Sequence, residues 1–321
     1  MAESYIVSGN PHWHAQVSTR KIMLDVILAL CPAVIVSFLY YGWSEVLVMA
    51  ESIAFCLLLE WAITRFLMKK PSTIGDLSAV VTGMLLAMNL PSGISWWIVL
   101  TGAAVAIGVA KMSFGGLGQN IFNPAITGRV FLLVSFPAQM TTWPVPDGFI
   151  ASPDAFSGAT LLQQVKILGA GSADALVDLQ TLLANIGGSA GEISALALLA
   201  GWLYLVCRRV IKPWITLSIF ATVAAIAAIF HAVNPELYTG ALFNLLTGGV
   251  ILGACFMATD YVTSPMTTLG GVIYGFGIGF ILMMIRYFGS YPEGMSFAIL
   301  LMNMAVPLLN IAFHQKKYGR K

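Results

Sequence analysis

Residues 22–41 read IMLDVILALCPAVIVSFLYY, an apolar run with a single charged residue, Asp25. A helix needs roughly 20 such residues to cross the hydrocarbon core of a bilayer, which is about 30 Å thick. Nine comparable runs follow, so the sequence predicts about ten transmembrane helices. The ten predicted spans are residues 22–41, 44–68, 74–90, 94–112, 121–137, 192–207, 213–231, 240–259, 269–288 and 295–313.

The composition excludes several classes of protein. Of the 321 residues, 58% are hydrophobic and 9% are charged, whereas soluble domains average roughly 25% charged residues. A soluble enzyme is therefore excluded, and an all-α polytopic membrane protein surrounded by lipid is indicated. The net charge of +2 is too small for a nucleic-acid surface. The four cysteines stand singly in apolar runs, which predicts core residues and not a metal or disulfide site.

The basic residues predict the orientation in the membrane, because cytoplasmic loops carry an excess of Lys and Arg. Lys166 and Arg286 fall on one side of the predicted bundle, and Arg129 lies inside a span. The basic residues on the N-terminal side are Arg20, Lys21, Arg65, Lys69, Lys70, Lys111, Arg208, Arg209, Lys212, Lys316, Lys317, Arg320 and Lys321. Both termini are therefore predicted to face the cytoplasm, with the long loop facing outward, toward the periplasm or the cell exterior.

The spans divide into two sets of five within a single integral membrane domain, residues 1–321. Residues 1–137 form the first half, residues 138–191 the long outer loop, and residues 192–321 the second half. Val81-Thr82-Gly83 in the first half has a counterpart in Leu246-Thr247-Gly248 of the second. Because an odd number of spans inverts the second half relative to the first, the sequence predicts two inverted five-helix repeats.

Charged residues within the spans need partners, since an ionised side chain at mid-span costs at least about 2.5–3.5 kcal/mol. Asp76 and Asp260 occupy matching places in the two halves. They are interpreted either as part of an ion or cofactor site or as helix-end capping groups. Arg129, near the middle of its span, requires an acidic residue, a row of carbonyl groups or an anionic ligand.

Two other acidic residues have basic residues close by in the sequence. Glu60 precedes Arg65, and Asp25 follows Lys21. We expect each carboxylate either to pair with this neighbour or to reach the membrane interface.

A glycine-rich stretch breaks the chain before the fifth span. It reads Gly115-Gly116-Leu117-Gly118-Gln119-Asn120 and is followed by Asn123-Pro124. It predicts either a tight loop between helices or backbone that lines a cavity or a cofactor. A comparable break, Tyr291-Pro292-Glu293-Gly294, precedes the tenth span.

The long loop contains Asp154-Ala155-Phe156-Ser157-Gly158-Ala159-Thr160. A Ser-Gly-Ala-Thr sequence taken alone is ordinary turn material. The whole pattern also resembles the acceptor site at which a flavin transferase joins the phosphate of FMN to a threonine hydroxyl. That chemistry requires an accessible hydroxyl, small neighbours and an extended segment, and Thr160 with Gly158 and Ala159 is expected to provide them.

Motifs along nearly the whole chain together resemble one family, the RnfD-type membrane component of the Rnf electron-transport complex. The corresponding component, NqrB, of the sodium-translocating NADH:quinone reductase is similar but more distant. Besides the Ser157–Thr160 acceptor, the matching motifs are Pro11-His12, Ser18-Thr19, Gly115 to Asn120, Phe122-Asn123-Pro124-Ala125, Ser135 to Thr141, Met257-Ala258-Thr259-Asp260, Thr263-Ser264-Pro265, Pro292-Glu293-Gly294 and Leu301-Met302-Asn303.

The resemblance implies FMN bound to Thr160 by a phosphoester, with Asp154, Ser157, Gly158 and Ala159 as surrounding site residues. It implies a complex of about six subunits that moves electrons between ferredoxin and NAD and exports Na⁺ or H⁺. Expected partners are the second FMN-carrying subunit, the small membrane subunits and the flavin transferase. A second, non-covalent flavin such as riboflavin, or an ion, is expected near Asp76, Asn120, Asn123, Arg129 and Asp260.

Three other functions stay open at this point. The chain could be the subunit of a quinone reductase, a channel or secondary transporter without flavin, or a structural subunit that only holds its neighbours. Only the first of these three retains a role for Thr160.

Overall fold

The computed structural model describes residues 18–70, 72–144, 157–158, 160, 162–163, 165, 188–289, 291 and 293–313. Asp154 and Ala159 of the predicted acceptor site, with Pro11-His12 and Pro292 of the family motifs, lie outside the described residues. For Ser157 and Gly158 the structure describes the backbone.

The described chain is built almost wholly of helices. In order they are α1 Thr19–Tyr41, α2 Trp43–Ala62, α3 Ser78–Ala87, α4 Trp96–Ala103, α5 Pro124–Ser135, α6 Pro137–Met140, α7 Ala195–Cys207, α8 Pro213–Val233, α9 Ala241–Leu246, α10 Val250–Leu252, α11 Thr268–Phe288 and α12 Met295–Ala312. Stretches of π-helix extend α2 over Ile63–Leu67, α4 over Ala104–Met112 and α10 over Gly253–Met257. Short 3₁₀ turns cover Ile74–Asp76 and Ala190–Glu192.

Each of the ten predicted spans contains helix. Within the described residues, five helices are long and apolar enough to cross a membrane: Thr19–Tyr41, Trp43–Leu67, Pro213–Val233, Thr268–Phe288 and Met295–Ala312. Four shorter apolar helices lie at the third, fourth, fifth and sixth predicted spans. These helices confirm the all-α membrane fold, while the count of ten crossings and the inverted repeat stay predictions.

One predicted span is interrupted near its middle in the structure. Residues 240–259 were expected to form one continuous helix, but the helix stops at Leu246 and resumes at Val250. Gly248 has φ +69°, a left-handed conformation that glycine adopts at little cost and that ends a helix. The prediction of an unbroken eighth span was therefore wrong, and the break frees carbonyl groups inside the protein.

Close packing between α8 and α11 depends on small residues. A β-carbon at Gly275 would lie 2.7 Å from the carbonyl oxygen of Ile215, and one at Gly279 would lie 2.7 Å from the β-carbon of Thr222. Small residues allow helix backbones to approach within a membrane, where burial of apolar surface gives no advantage over lipid. The backbones of the two helices are therefore in close contact, and larger side chains at these glycines would push the helices apart.

We expect Gly279→Ala to destabilise the protein by about 1–3 kcal/mol, the usual cost of overfilling a packed contact. The measurement is thermal unfolding of the detergent-purified chain. Gly75→Ala is the matched control, because a β-carbon at Gly75 would meet nothing within 4 Å. An equal effect of both substitutions would contradict the packing argument.

The loop between α6 and α7 contains a small antiparallel pair of strands, β1 Trp143–Pro144 and β2 Ser157–Gly158. Trp143 pairs with Gly158, and Pro144 pairs with Ser157. Ser157 and Gly158 of the predicted acceptor segment are therefore extended, as the sequence predicted for this part of the loop.

Candidate functional site

A group of polar side chains meets inside the protein around Arg129 of α5. We name Arg129, Asn89, Glu192, Glu293 and Arg286 the Arg129 cluster. Arg129, which is 5% exposed, donates from Nη1 to Oδ1 of Asn89 at 2.5 Å and forms an ion pair with Glu293 through Nη2. Of the partners that the sequence allowed for Arg129, the structure supplies an acidic residue, and the Asn89 amide is a further partner that the sequence did not predict.

Glu192, at the end of the 3₁₀ turn before α7, brings a second carboxylate to the cluster. Its Oε1 accepts a hydrogen bond of 2.7 Å from the Ser189 hydroxyl, and the charges of Glu293 and Arg129 act on it. A β-carbon at Gly249 would be 3.5 Å from Nη1 of Arg129 and 3.8 Å from Oε1 of Glu192. The interruption between α9 and α10 therefore places bare backbone against both charged groups.

Arg286, in the last turn of α11, satisfies the carbonyl groups that this interruption frees. Its Nη1 donates to the carbonyl oxygen of Asn244 at 2.6 Å, and its Nη2 donates to that of Thr247 at 2.7 Å. Its Nε has no hydrogen-bond partner among the described residues. Arg286 is 5% exposed, so its guanidinium is buried against the backbone and does not face water.

Thr160 lies beside this end of the cluster. Its Oγ1 accepts from the backbone N–H of Gln163, and its own N–H donates to Oε1 of Gln163, both at 3.3 Å. A β-carbon at Gly248 would lie 2.8 Å from Cδ1 of Leu162 and 2.8 Å from Nη2 of Arg286. Leu162, two residues after Thr160, therefore packs against the same point of backbone as the arginine.

The exposure of Thr160 differs from the sequence expectation. The residue is 3% exposed, whereas an accessible hydroxyl was predicted. The reciprocal hydrogen bonds with Gln163 close the turn over the hydroxyl, and the neighbouring Trp143 is also buried. In this conformation the oxygen is not presented to a second protein.

A second group of polar side chains, the Lys111 cluster, consists of Lys111, Glu60, Ser78, Thr73 and Asp76. Nζ of Lys111 lies 2.5 Å from Oε2 of Glu60 and 2.6 Å from the Ser78 hydroxyl. Thr73 donates to Oε1 of Glu60 at 2.6 Å, and Oδ1 of Asp76 accepts from the backbone and hydroxyl of Ser78. Asp76 thus acts as a capping group for α3, one of its two predicted interpretations.

Two acidic residues, Glu60 and Asp25, form ion pairs with residues other than the neighbours that the sequence predicted. Glu60 pairs with Lys111 and not with Arg65, since the end of α4 brings the lysine beside the end of α2. Asp25 forms its ion pair with Arg208 of the second half, 3.3 Å away, and accepts from the Tyr204 hydroxyl. Both contacts join residues far apart in the sequence.

A cavity next to the Lys111 cluster is lined by Asn120, Asn123, Asp260, Lys111 and Ser78, together with apolar side chains. About 70 Å³ of it is open to the centre of a water-sized sphere, and one water needs roughly 10–15 Å³ on this measure. The cavity therefore has room for several waters or a small ion. Leu117 and Asn120 from the glycine-rich stretch form part of its wall, so that stretch is both a tight loop and a cavity lining.

Asp260 is the acidic group of this cavity. Desolvation of its carboxyl by the surrounding protein raises the pKa of Asp260, while hydrogen bonds from Thr263 and the backbone of Val262 act in the opposite direction. The Thr263 hydroxyl donates to Oδ2 at 3.2 Å. We therefore expect Asp260 to keep its proton to a higher pH than an exposed aspartate.

The five residues predicted for a second flavin or ion site are thus divided. Asn120, Asn123 and Asp260 share the cavity, and Asp76 is connected to it through Ser78. Arg129 instead points to Asn89 and Glu293. A polar link joins the two regions, because Nδ2 of Asn123 donates to the carbonyl oxygen of Met257, whose sulfur lies 3.7 Å from Nδ2 of Asn89.

Sequence reasoning missed Glu192, Glu293, Arg286 and Lys111 as parts of buried clusters. Each stands at the end of a predicted apolar span, where a charged side chain also fits the membrane interface. A sequence signal that could have identified them is the presence of both acidic and basic residues at the ends of different spans, where they could pair with one another. Among the described residues, no group of three or more His, Cys, Asp or Glu side chains is placed to hold a metal ion.

Comparison with known proteins gives one consistent family. The chain is 44% identical over 317 residues to the D subunit of the Na⁺-translocating ferredoxin:NAD⁺ oxidoreductase complex of Acetobacterium woodii, covering 98% of this chain and 95% of that protein. It is 39% identical over 328 residues to the D subunit of the ion-translocating oxidoreductase complex of Stutzerimonas stutzeri, covering 94% and 93%.

A third relative is the D subunit of the proton-translocating ferredoxin:NAD⁺ oxidoreductase complex of Clostridium ljungdahlii. It is 38% identical over 325 residues, covering 99% of this chain and 97% of that protein. A family model described as NQR2, RnfD, RnfE matches residues 6–319. With that match over almost the whole length, this membrane protein belongs to the NQR2, RnfD, RnfE family.

Proposed function

We propose that this chain is the RnfD-type membrane component of an ion-translocating ferredoxin:NAD oxidoreductase complex and carries FMN on Thr160 through a phosphoester bond. The single observation that carries the first part is the end-to-end similarity to proteins with that description. The second part rests on the Asp-x-x-Ser-Gly-Ala-Thr pattern and on the surroundings of Thr160.

Those surroundings fit a threonine-linked phosphate in two respects. The strand β2 is extended and ends at Gly158, two residues before Thr160, which suits recognition of the acceptor segment by a transferase. Arg286 and Leu162 both lie beside Gly248, so the guanidinium is near the same turn, and its Nε has no hydrogen-bond partner among the described residues. A guanidinium donor is a strong hydrogen-bond partner for a phosphate oxygen.

When bound, FMN supplies reversible electron transfer, and the protein supplies its position and surroundings. Thr160 fixes the attachment point, and the hydrogen bonds with Gln163 fix the turn that carries it. Leu162 packs beside Gly248 next to that turn, and Arg286 provides positive charge at the same place. None of these residues exchanges electrons itself.

The burial of Thr160 adds a condition to the proposal. A transferase cannot reach a hydroxyl that is 3% exposed, so the turn at residues 160–163 must open during modification or close only afterwards. The two 3.3 Å hydrogen bonds to Gln163 are long enough to be exchanged for bonds to water at small cost.

The proposal extends to partners and location. The chain assembles with the second FMN-carrying subunit and the small membrane subunits, and a flavin transferase matures it. It lies in the cytoplasmic membrane with both termini in the cytoplasm and Thr160 at the outer face. Since relatives named for Na⁺ and for protons align over nearly the whole of this chain, the proposal covers ion translocation without naming the ion.

A non-covalent riboflavin at the Asp260 cavity would require that cavity to widen, because its present volume suits waters. Movement of the loop that contains Leu117 and Asn120 is the simplest way to enlarge it. We therefore keep riboflavin there as a lesser part of the proposal, to be tested by acid extraction of flavin from the purified complex.

The test of the covalent flavin is a denaturing gel of the wild-type chain, co-produced with an active flavin transferase. We expect a fluorescent band, and a proteolytic peptide containing residue 160 that is heavier by FMN less one water. A correctly inserted chain that stays dark beside an active transferase would contradict the proposal and favour the flavin-free transporter.

A further inference from the structure

Glu45, in the first turn of α2, is a buried carboxyl that takes no part in either polar cluster. It is 0% exposed, and neither of its oxygens has a hydrogen-bond partner in the described part of the chain. The neighbouring residues Trp43 and Leu47 are 66% and 60% exposed. The carboxyl therefore faces the interior of the protein while the same turn of helix presents apolar side chains outward.

No cation within the described residues is placed to neutralise Glu45. Helix α3, which packs against α2, contains no titratable residue. Helix α4 with its π-helical extension contributes Lys111, but that lysine forms an ion pair with Glu60. Glu60 lies 15 residues after Glu45 on α2, a distance of about 22 Å at 1.5 Å per residue. The adjoining 3₁₀ turn contributes Asp76, already bonded to Ser78.

Tyr41 and Glu192, the groups that share electrostatic surroundings with Glu45, are neutral or acidic, and the two buried guanidinium groups of the Arg129 cluster already have other partners. Tyr41, at the end of α1, lies within electrostatic reach of the carboxyl groups of both Glu45 and Glu192. Its hydroxyl donates to the carbonyl oxygen of Gly188 at 2.6 Å. The guanidinium groups of Arg129 and Arg286 are engaged by Glu293 and by the carbonyl groups at the α9–α10 break.

An ionised carboxylate in such a place would be costly, because nothing replaces the water that it loses. A bound metal ion would need several oxygen ligands, and the described residues offer no group of three His, Cys, Asp or Glu side chains. A proton neutralises the carboxyl without any further ligand.

We propose that Glu45 is a proton-binding site, with its carboxyl protonated inside the protein next to Tyr41. It gives the end of the bundle that contains the Arg129 cluster and Thr160 one exchangeable proton. The site does not depend on a flavin, so this proposal can be tested independently of the proposed function.

The test uses dicyclohexylcarbodiimide, which reacts with protonated carboxyl groups in apolar surroundings, on the complex in native membranes. The carboxylic O–H adds across a C=N bond of the reagent to give an O-acylisourea, which rearranges to a stable N-acylurea without a leaving group. We expect the peptide containing Glu45 to gain the mass of one carbodiimide, in NaCl and in choline chloride alike. Protection by NaCl would overturn the proposal in favour of a cation site.

Variants separate Glu45 from its neighbours. Glu45→Gln should lose the label, whereas Glu51→Gln, which changes a partly exposed carboxyl of the same helix, should keep it. Glu45→Gln should also leave the melting temperature unchanged because it replaces one neutral group with another, while Glu60→Gln, which leaves Lys111 without its anionic partner, should lower it.

Infrared spectroscopy covers the case in which the reagent fails to reach the site. The wild-type protein should show a protonated-carboxyl C=O band that shifts in D₂O and is missing in Glu45→Gln. Absence of any band that differs between the wild type and Glu45→Gln would overturn the proposal whatever the labelling result.

Discussion

Thr160→Ala is expected to remove the covalent flavin completely, because the substitution deletes the only oxygen through which residue 160 can form a phosphoester. The variant chain should stay dark on a denaturing gel while the wild type fluoresces. In the assembled complex, electron transfer from ferredoxin to NAD⁺ should fall to the background level. The two measurements are made on the same preparation so that the amount of inserted chain can be compared.

Two controls make this result specific. Thr160→Ser keeps a hydroxyl at the same position and should retain part of the fluorescence. Thr142→Ala removes an exposed threonine of the same loop and should retain all of it. Loss of fluorescence in Thr142→Ala would show that the loop, and not the Thr160 hydroxyl, is required.

Electron flow distinguishes the remaining functions. If Thr160→Ala lost the flavin but kept full electron transfer, the chain would be a structural subunit whose flavin is dispensable. If it kept both the flavin and electron transfer, the attachment residue would be another one. Either outcome would contradict the proposed electron-carrying role of Thr160.

The positions of the helices could be predicted from the sequence because each depends on local properties. An apolar run such as residues 213–231 buries its backbone polar groups within its own helix, so the run itself determines where the helix lies. The structure places that helix at Pro213–Val233. Asn123 likewise accepts from the N–H groups of Ala125 and Ile126, the capping role that Asn before Pro at a helix start favours.

The break in the eighth predicted span could not be predicted in the same way. Thr247, Gly248 and Gly249 interrupt an otherwise apolar run, and a Gly-Gly pair permits a helix to stop without requiring it. The interruption is stabilised by Arg286, which comes from a helix about 40 residues later and supplies donors for the carbonyl groups of Asn244 and Thr247. A contact of this kind depends on tertiary structure alone.

The candidate site was predictable in its residue types and not in its partners. Arg129 could be identified as a charge that needs an acid, because the cost of an unpaired guanidinium is general. Its partner, Glu293, is 164 residues away, and no spacing rule connects them. Thr160 could be found from its motif, but its burial depends on Gln163 and on the packing of Leu162, which the motif does not contain.

Arg129→Met is expected to be the most destabilising of the substitutions considered, by about 3–5 kcal/mol, the cost of removing one partner from a buried ion pair. Glu293 would lose its ion pair, and Asn89 would lose the donor to its Oδ1. Glu192, already close to Glu293, would then face a second carboxylate without the intervening positive charge. The measurement is thermal unfolding of the detergent-purified chain, followed by its incorporation into the complex.

Arg208→Met is the matched control for this effect, because Arg208 also forms an ion pair but its side chain is 59% exposed. Exposed pairs contribute at most about 1 kcal/mol, so this variant should unfold close to the wild type. Adding Glu293→Gln to Arg129→Met should recover part of the loss, since the buried carboxylate is then replaced by a neutral amide. Equal effects of Arg129→Met and Arg208→Met would contradict this argument. They would mean that the ion pair of Arg129 contributes no more than an exposed pair, because solvent or lipid headgroups reach it.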